Sequence, residues 1–160
     1  MNSYQIIFLE MTKISRTDSS DIDFINLVKL LDADLQIRDG ADHPFYAQYN
    51  KIDSIKYAVV VYWNEVPVGC GAIKRYDDEI MEVKRMFVNP EMRGKGIATK
   101  VLLELENWAR ELNFKKCILE TGKKQPEAIA LYQKNGYNLI PNFGQYKNAE
   151  NSVCFEKKLK

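Results

Sequence analysis

The sequence predicts an α/β (α+β) domain, a mixed sheet of six to seven strands covered by helices on both faces, and three observations carry that prediction. Two β-branched runs, residues 56–63 and 66–74, are separated only by Asn64 and Glu65, a connection that favours an antiparallel hairpin. A third run, 79–88, is followed by a segment that places Val101, Leu102, Leu105, Trp108, Ala109 and Leu112 on one helical face, and then by a further strand-like run at 116–120. That strand, helix, strand succession favours a parallel central pair. With 160 residues and 46% hydrophobic content, the chain has the size of one domain, residues 1–160, around a single core.

The remaining elements follow in order. Residues 4–11 read as a first strand. Ser20, followed by Asp23, resembles a helix-starting cap before Phe24, Leu27, Val28, Leu31 and Leu35 at helical spacing. Over 32–50 the pattern loosens, with Asp34, Arg38, Asp39, Asp42, His43, Tyr46, Tyr49 and Asn50 among few aliphatics, which suits a polar helix or loop lining a pocket. Pro126 stands where a first helical residue belongs, 128–134 are acceptable helix formers, and Asn135-Gly136 supplies a left-handed stop. Strands at 137–140 and 152–158 complete the sheet.

Composition narrows the function. The formal charge is +1, from 23 basic and 22 acidic residues, so no global field recruits nucleic acid. Cys70, Cys117 and Cys154 are far apart and form no C-x-x-C pair, which argues against a disulfide framework or a zinc site and suits the reducing cytoplasm. Residues 1–9 lack a basic start, and their apolar run is too short for a signal or a membrane span, so no membrane partner is expected. Oligomeric state is not written in the sequence, although a homodimer is a reasonable expectation.

The most informative residues are Arg93-Gly94-Lys95-Gly96-Ile97-Ala98, between the strand ending at Val88 and the helix. Glycines let backbone approach a ligand, and the helix they open presents unpaired N–H groups and about half a positive charge, an anion cradle suited to a diphosphate. The spacing is neither that of the dinucleotide fingerprint nor that of the P-loop. It matches [Arg/Gln]-x-x-Gly-x-[Gly/Ala], and here the chain resembles the GCN5-related N-acetyltransferases (GNAT), whose acetyl-CoA loop carries that pattern. The likeness extends from about Val59 to Phe155, through 81–90, Leu119-Glu120-Thr121, and Ala130-Leu131-Tyr132 up to Gly136-Tyr137.

The resemblance implies a GNAT fold whose parallel central pair splays at the acetyl-CoA site, and an acetyltransferase working by direct transfer from acetyl-CoA to an amine, with no metal. It carries Arg93, Gly94, Lys95, Gly96, Ile97, Ala98 and Thr99 over to the pyrophosphate, Arg93 and Lys95 being otherwise solvated charges. Main chain at Met86, Phe87 and Val88 would take the pantetheine arm, with an amide of Phe87 or Val88 on the thioester carbonyl, a contact worth roughly 3 kcal/mol in comparable enzymes. Tyr132 matches the tyrosine that protonates the departing thiolate, against a purely structural aromatic. Glu82, eleven residues before Arg93, matches the base glutamate of the histone-modifying branch. Its alternatives are an ion pair with Lys84 or Arg85, ordered water, or Glu120 as the base. Gln125 stands where many members have asparagine contacting the cofactor, a departure that puts that contact in doubt.

For the acceptor, Asp39, His43, Tyr46, Glu120 and Tyr146 are the candidate contacts, although a lone histidine is more often structural. Acidic residues in 32–42 suit a cationic amine such as a polyamine or aminosugar, whereas Arg38, Lys74 and Arg75 would suit an amino acid carboxylate. A small-molecule amine is the expected acceptor. A protein or peptide amine, or a silent acyl-CoA sensor, is the alternative. Cys154 reads as a small hydrophobe rather than a nucleophile.

Overall fold

The computed structural model describes residues 11–52 and 55–160. Seven strands form one sheet in the order β1-β2-β3-β4-β5-β7-β6. They are β1 Thr12–Thr17, β2 Tyr57–Trp63, β3 Val66–Arg75, β4 Ile80–Val88, β5 Lys116–Gly122, β6 Asn138–Ile140 and β7 Ser152–Lys158. The helices are α1 Ile22–Asp39, the single turn α2 His43–Ala47, α3 Ile97–Glu111 and α4 Pro126–Lys134. Every strand pairing is antiparallel except β4 with β5. The first strand expected at 4–11 lies outside the described residues apart from Met11, and the strand observed near it is β1.

The β2–β3 hairpin turns on Asn64 and Glu65, both left-handed (φ 47° and 69°), the twist that two-residue hairpins require. Helix α1 is capped by Asp21, whose side chain accepts from the amides of Asp23 and Phe24, not by Ser20. Ser20 is unavailable because its amide and hydroxyl both donate to Asp18. Helix α3 starts at Ile97, within the Arg93–Ala98 motif.

Burial assigns the two faces. Phe24, Leu27, Val28 and Leu31 of α1 pack on Ala58, Val60, Cys70, Ala72 and Phe87. On the other face Ile97, Val101, Leu102 and Leu105 of α3, with Tyr132 of α4, cover Val59, Val61, Ile73, Val83, Leu119 and Phe155. Two glycines let α3 settle on β3: a Cβ at Gly69 would stand 2.7 Å from Ile97, and one at Gly71 would stand 2.5 Å from the Met86 sulfur and 2.7 Å from Val101. Among the described residues no helix is long and apolar enough to cross a membrane.

Two irregularities in the sheet prepare the site. The parallel ladder pairs Ile80, Met81 and Glu82 with Lys116, Cys117 and Ile118 and then ends, although both strands continue. Beyond it the two strands diverge, leaving main-chain groups of β4 unpaired on that side. Within β4, Arg85 takes a left-handed conformation (φ 58°), and the register with β3 shifts between Cys70 and Ala72. This bulge changes the phase of the strand. Before it Met81 and Val83 face α3; after it Met86 and Val88 do, while Phe87 turns to α1.

Candidate active site

A cavity of about 470 Å³ occupies the gap between β4 and β5. One end is the loop after β4, where Gly94 (φ 79°) and Gly96 (φ 78°) are left-handed and a Cβ at either would project into open space. Gly96 is the N-cap of α3, so the unpaired amides of the first helical turn face the same opening. The loop residues Arg93, Gly94, Gly96, Ile97, Ala98 and Thr99 line it, as do Met86, Phe87 and Val88 along the freed edge of β4, and Gln125 at the start of α4. Arg93 is held in place because its Nε donates to the Val88 carbonyl at 3.1 Å. Lys95 is not among the lining residues, and its ammonium lies 5.2 Å from the centre of the Trp63 ring.

Midway along, Tyr132 is buried at 5% exposure and lines the cavity. Its ring meets Tyr137 edge-on at 5.7 Å and Phe155 at 6.3 Å. Burial and then the charge of Glu120 raise its pKa, and no hydrogen bond offsets them, so the phenol keeps its proton.

The far end carries the acids. Glu82 on β4 and Glu120 on β5 both line the cavity, as do Asp39, Tyr46 and Tyr146. Burial raises the Glu82 carboxyl, while Lys84 and Lys74 oppose the shift. The Glu120 carboxyl, half-buried and open to the cavity, is pushed up to about 7 by burial first and by the charges of Glu82 and Asp39, against the Ser152 hydroxyl and the charge of Lys84, which lower it. Asp39 is likewise raised, chiefly by burial. Lys84, with its pKa lowered by burial, donates to the Tyr49 carbonyl at 2.7 Å and stands 3.9 Å from Glu82. The Tyr46 hydroxyl is hydrogen-bonded to the Ser152 hydroxyl at 2.8 Å, and its ring stacks on Tyr146 with centroids 6.4 Å apart.

The structure thus brings together the expected loop except Lys95, the strand edge, the tyrosine and both glutamates, and leaves His43 out. That imidazole sits behind the wall, its Nδ1 buried without a hydrogen bond and 3.8 Å from Asp39. Asp34 and Asn50 line the cavity from the segment expected to border a pocket, whereas Leu35 of α1 and Glu127 and Leu131 of α4 were missed as wall residues in the sequence. The helical stripe ending at Leu31 and Leu35 signals that α1 covers something, but not that its last turns border a cavity. Cys154 is fully buried among Tyr46 and Tyr146, and burial pushes its thiol up to about 11, an inert small hydrophobe.

Comparison with known proteins fits this geometry. Residues 25–137 match the acetyltransferase (GNAT) family. A structure of a candidate acyl-CoA N-acyltransferase from Klebsiella pneumoniae superposes with a TM-score of 0.79 at 31% identity, covering 94% of this chain and 99% of that one. The chain is also 44% identical over 87 residues to the uncharacterized N-acetyltransferase YjgM of Escherichia coli, covering 52% of each. To the IAA acetyltransferase of Azospirillum brasilense it is 44% identical over 94 residues, 58% of this chain and 61% of that protein. The chain therefore spans about half to three-fifths of the length of these curated relatives. A fold relative from Thermoplasma acidophilum, PaiA N-acetyltransferase, was solved in complex with coenzyme A (TM-score 0.69, 16% identity, 92% of this chain and 99% of that one). The protein belongs to the acetyltransferase (GNAT) family.

Proposed function

We propose that the protein transfers an acetyl group from acetyl-CoA directly to the primary amine of a small molecule. The observation that carries this reading is the continuity of the cavity, from the left-handed glycines at the α3 N-terminus, through the gap between β4 and β5, to a wall of carboxylates. Its residues fit the cofactor at each point. Open space at Gly94 and Gly96 and the amides of α3 suit the pyrophosphate, and the freed edge at Met86, Phe87 and Val88 suits an arm that adds like a strand. Acetyl-CoA, when bound, supplies an acyl group activated as a thioester.

The chain's own groups supply the rest. Glu120, with its carboxyl near 7, accepts the proton of the incoming ammonium, and Glu82 beside it keeps that value high. The Phe87 or Val88 amide donates toward developing negative charge on the acyl oxygen. Tyr132, still protonated, donates from its hydroxyl to the departing sulfur. Tyr46 and Tyr146, both buried, form part of the wall at the far end, and this suits a small acceptor better than an extended peptide, which needs an open groove.

The test is release of free thiol from acetyl-CoA across a panel of amines, with calorimetric titration of coenzyme A into the same protein. Gly96→Glu adds bulk and charge to the cradle and is expected to abolish binding, while Tyr132→Phe should spare binding and slow turnover. Undiminished coenzyme A affinity in the Gly96 variant would overturn the assignment of the loop.

A further inference from the structure

We infer that the acceptor carries a second cationic centre, that is, a diamine or polyamine, recognised by Asp39 at the far end of the cavity while the reacting amine lies at Glu120; this rests on the acetyl-transfer reading. The argument is a charge account of the wall. Of the groups expected to grip an acceptor's carboxylate, Lys74 is exposed and does not line the cavity, and Arg38 and Arg75 are already engaged. Arg85 pairs with Asp32, Arg75 with Asp78, and Arg38 with Asp34 at 3.1 Å and with Glu127. Lys84 is spent on the Tyr49 carbonyl and on Glu82.

The acids are not matched in the same way. Asp39 and Glu120 have no lysine or arginine within 4.0 Å among the described residues, and the neighbour of Asp39 is the imidazole of His43. Glu82, only 9% exposed and lining the cavity, has Lys84 as its ion-pair partner at 3.9 Å and makes no hydrogen bond among the described residues. A carboxylate held in a cavity wall with no lysine or arginine beside it is costly, so the countercharge for Asp39 and Glu120 falls to the ligand. Tyr46 and Tyr146 line the same cavity as the two acids, and their rings stack with centroids 6.4 Å apart. Their ring faces suit an ammonium and an alkyl chain passing along them. Asp39 and Glu120 thus line the cavity together with the aromatic walls of Tyr46 and Tyr146.

An equal-length set of acceptors tests this directly: 1,4-diaminobutane, n-butylamine and γ-aminobutyrate, with spermidine as the longer member. Thiol release should favour a diamine or spermidine over n-butylamine by about tenfold in kcat/KM, the effect of one charge-assisted contact, with γ-aminobutyrate the poorest. Asp39→Asn should cut the diamine-to-monoamine ratio by a similar factor, and Asp39→Glu should retain part of it. Equal use of n-butylamine, preference for γ-aminobutyrate, or an unchanged ratio in Asp39→Asn overturns the inference and leaves acetyl transfer standing. If the protein binds coenzyme A but releases no thiol, titration of the same amines into the coenzyme A complex makes the comparison, and equal affinities overturn it. Failure to bind coenzyme A, with no thiol release, overturns both readings.

Discussion

Glu82 and Glu120 are neighbours in different environments, and the difference between them makes a pH prediction. Glu82 has a lysine 3.9 Å away and is nearly sealed, whereas Glu120 opens to the cavity and has no lysine or arginine within 4.0 Å among the described residues, its carboxyl standing near 7. A base must be ionised to accept a proton, so below about 7 Glu120 is mostly protonated and kcat/KM should rise with pH through that value. Glu120→Gln should remove this limb and slow turnover roughly 10²–10⁴-fold. The sign for Glu82 follows from repulsion: its negative charge raises the Glu120 value, so Glu82→Gln should move the limb to lower pH while keeping its slope. A pH profile of the Glu82 variant identical to that of the parent would show that the two groups are not coupled, and loss of the limb in that variant would make Glu82 the base instead.

At the scale of elements, the seating of α3 on β3 decides both stability and the position of the cradle, because Gly96 opens the helix that Gly69 and Gly71 let settle. Gly71→Val would force a side chain into the Met86 sulfur and Val101, and overpacking of this kind costs about 1–3 kcal/mol. Thermal unfolding should register it at roughly 2–4 °C per kcal/mol, and an unchanged midpoint would mean that the helix can lift without cost. The helix, the hairpin and the parallel pair are legible in the sequence, because period-3.6 and β-branched runs, a two-residue turn and a strand-helix-strand succession each have one reading. The bulge is harder. In 80–88 the apolar positions shift from Met81 and Val83 to Met86 and Val88, a phase slip that is visible but does not say which residue absorbs it; Arg85 does. The cap at Asp21 is obscured because Asp18 consumes Ser20. At the site, motif residues stand where their spacing implies, whereas Lys95 over Trp63 and His43 behind Asp39 depend on tertiary neighbours that no local pattern encodes.

Across the whole molecule, splitting the sheet leaves β4 and β5 without mutual hydrogen bonds where the cavity lies, so the two halves must be joined elsewhere. One joint is a charged network on the α3 face. Glu106 of α3 is fully buried, and its carboxylate accepts from Tyr137 at 3.1 Å and from Lys157 of β7 at 2.7 Å, with Arg110 at 3.8 Å. The network therefore ties the helix that carries the cradle to the strand behind Glu120, across the split. Lys157→Met keeps an unbranched side chain against Tyr137 and removes the charge, leaving a buried carboxylate short of a partner, which should cost about 3 kcal/mol. Pairing it with Glu106→Leu removes the stranded charge as well and is expected to recover most of that loss, as replacement of a buried ion pair by apolar groups often does. Urea unfolding separates the cases: the single variant should lower the midpoint at unchanged slope, and the double variant should return toward the parent. A single variant as stable as the parent would mean that Tyr137 and Arg110 suffice to hold Glu106. A lowered midpoint with a changed slope would mean instead that the halves unfold separately, and that this joint is what makes the split sheet cooperative.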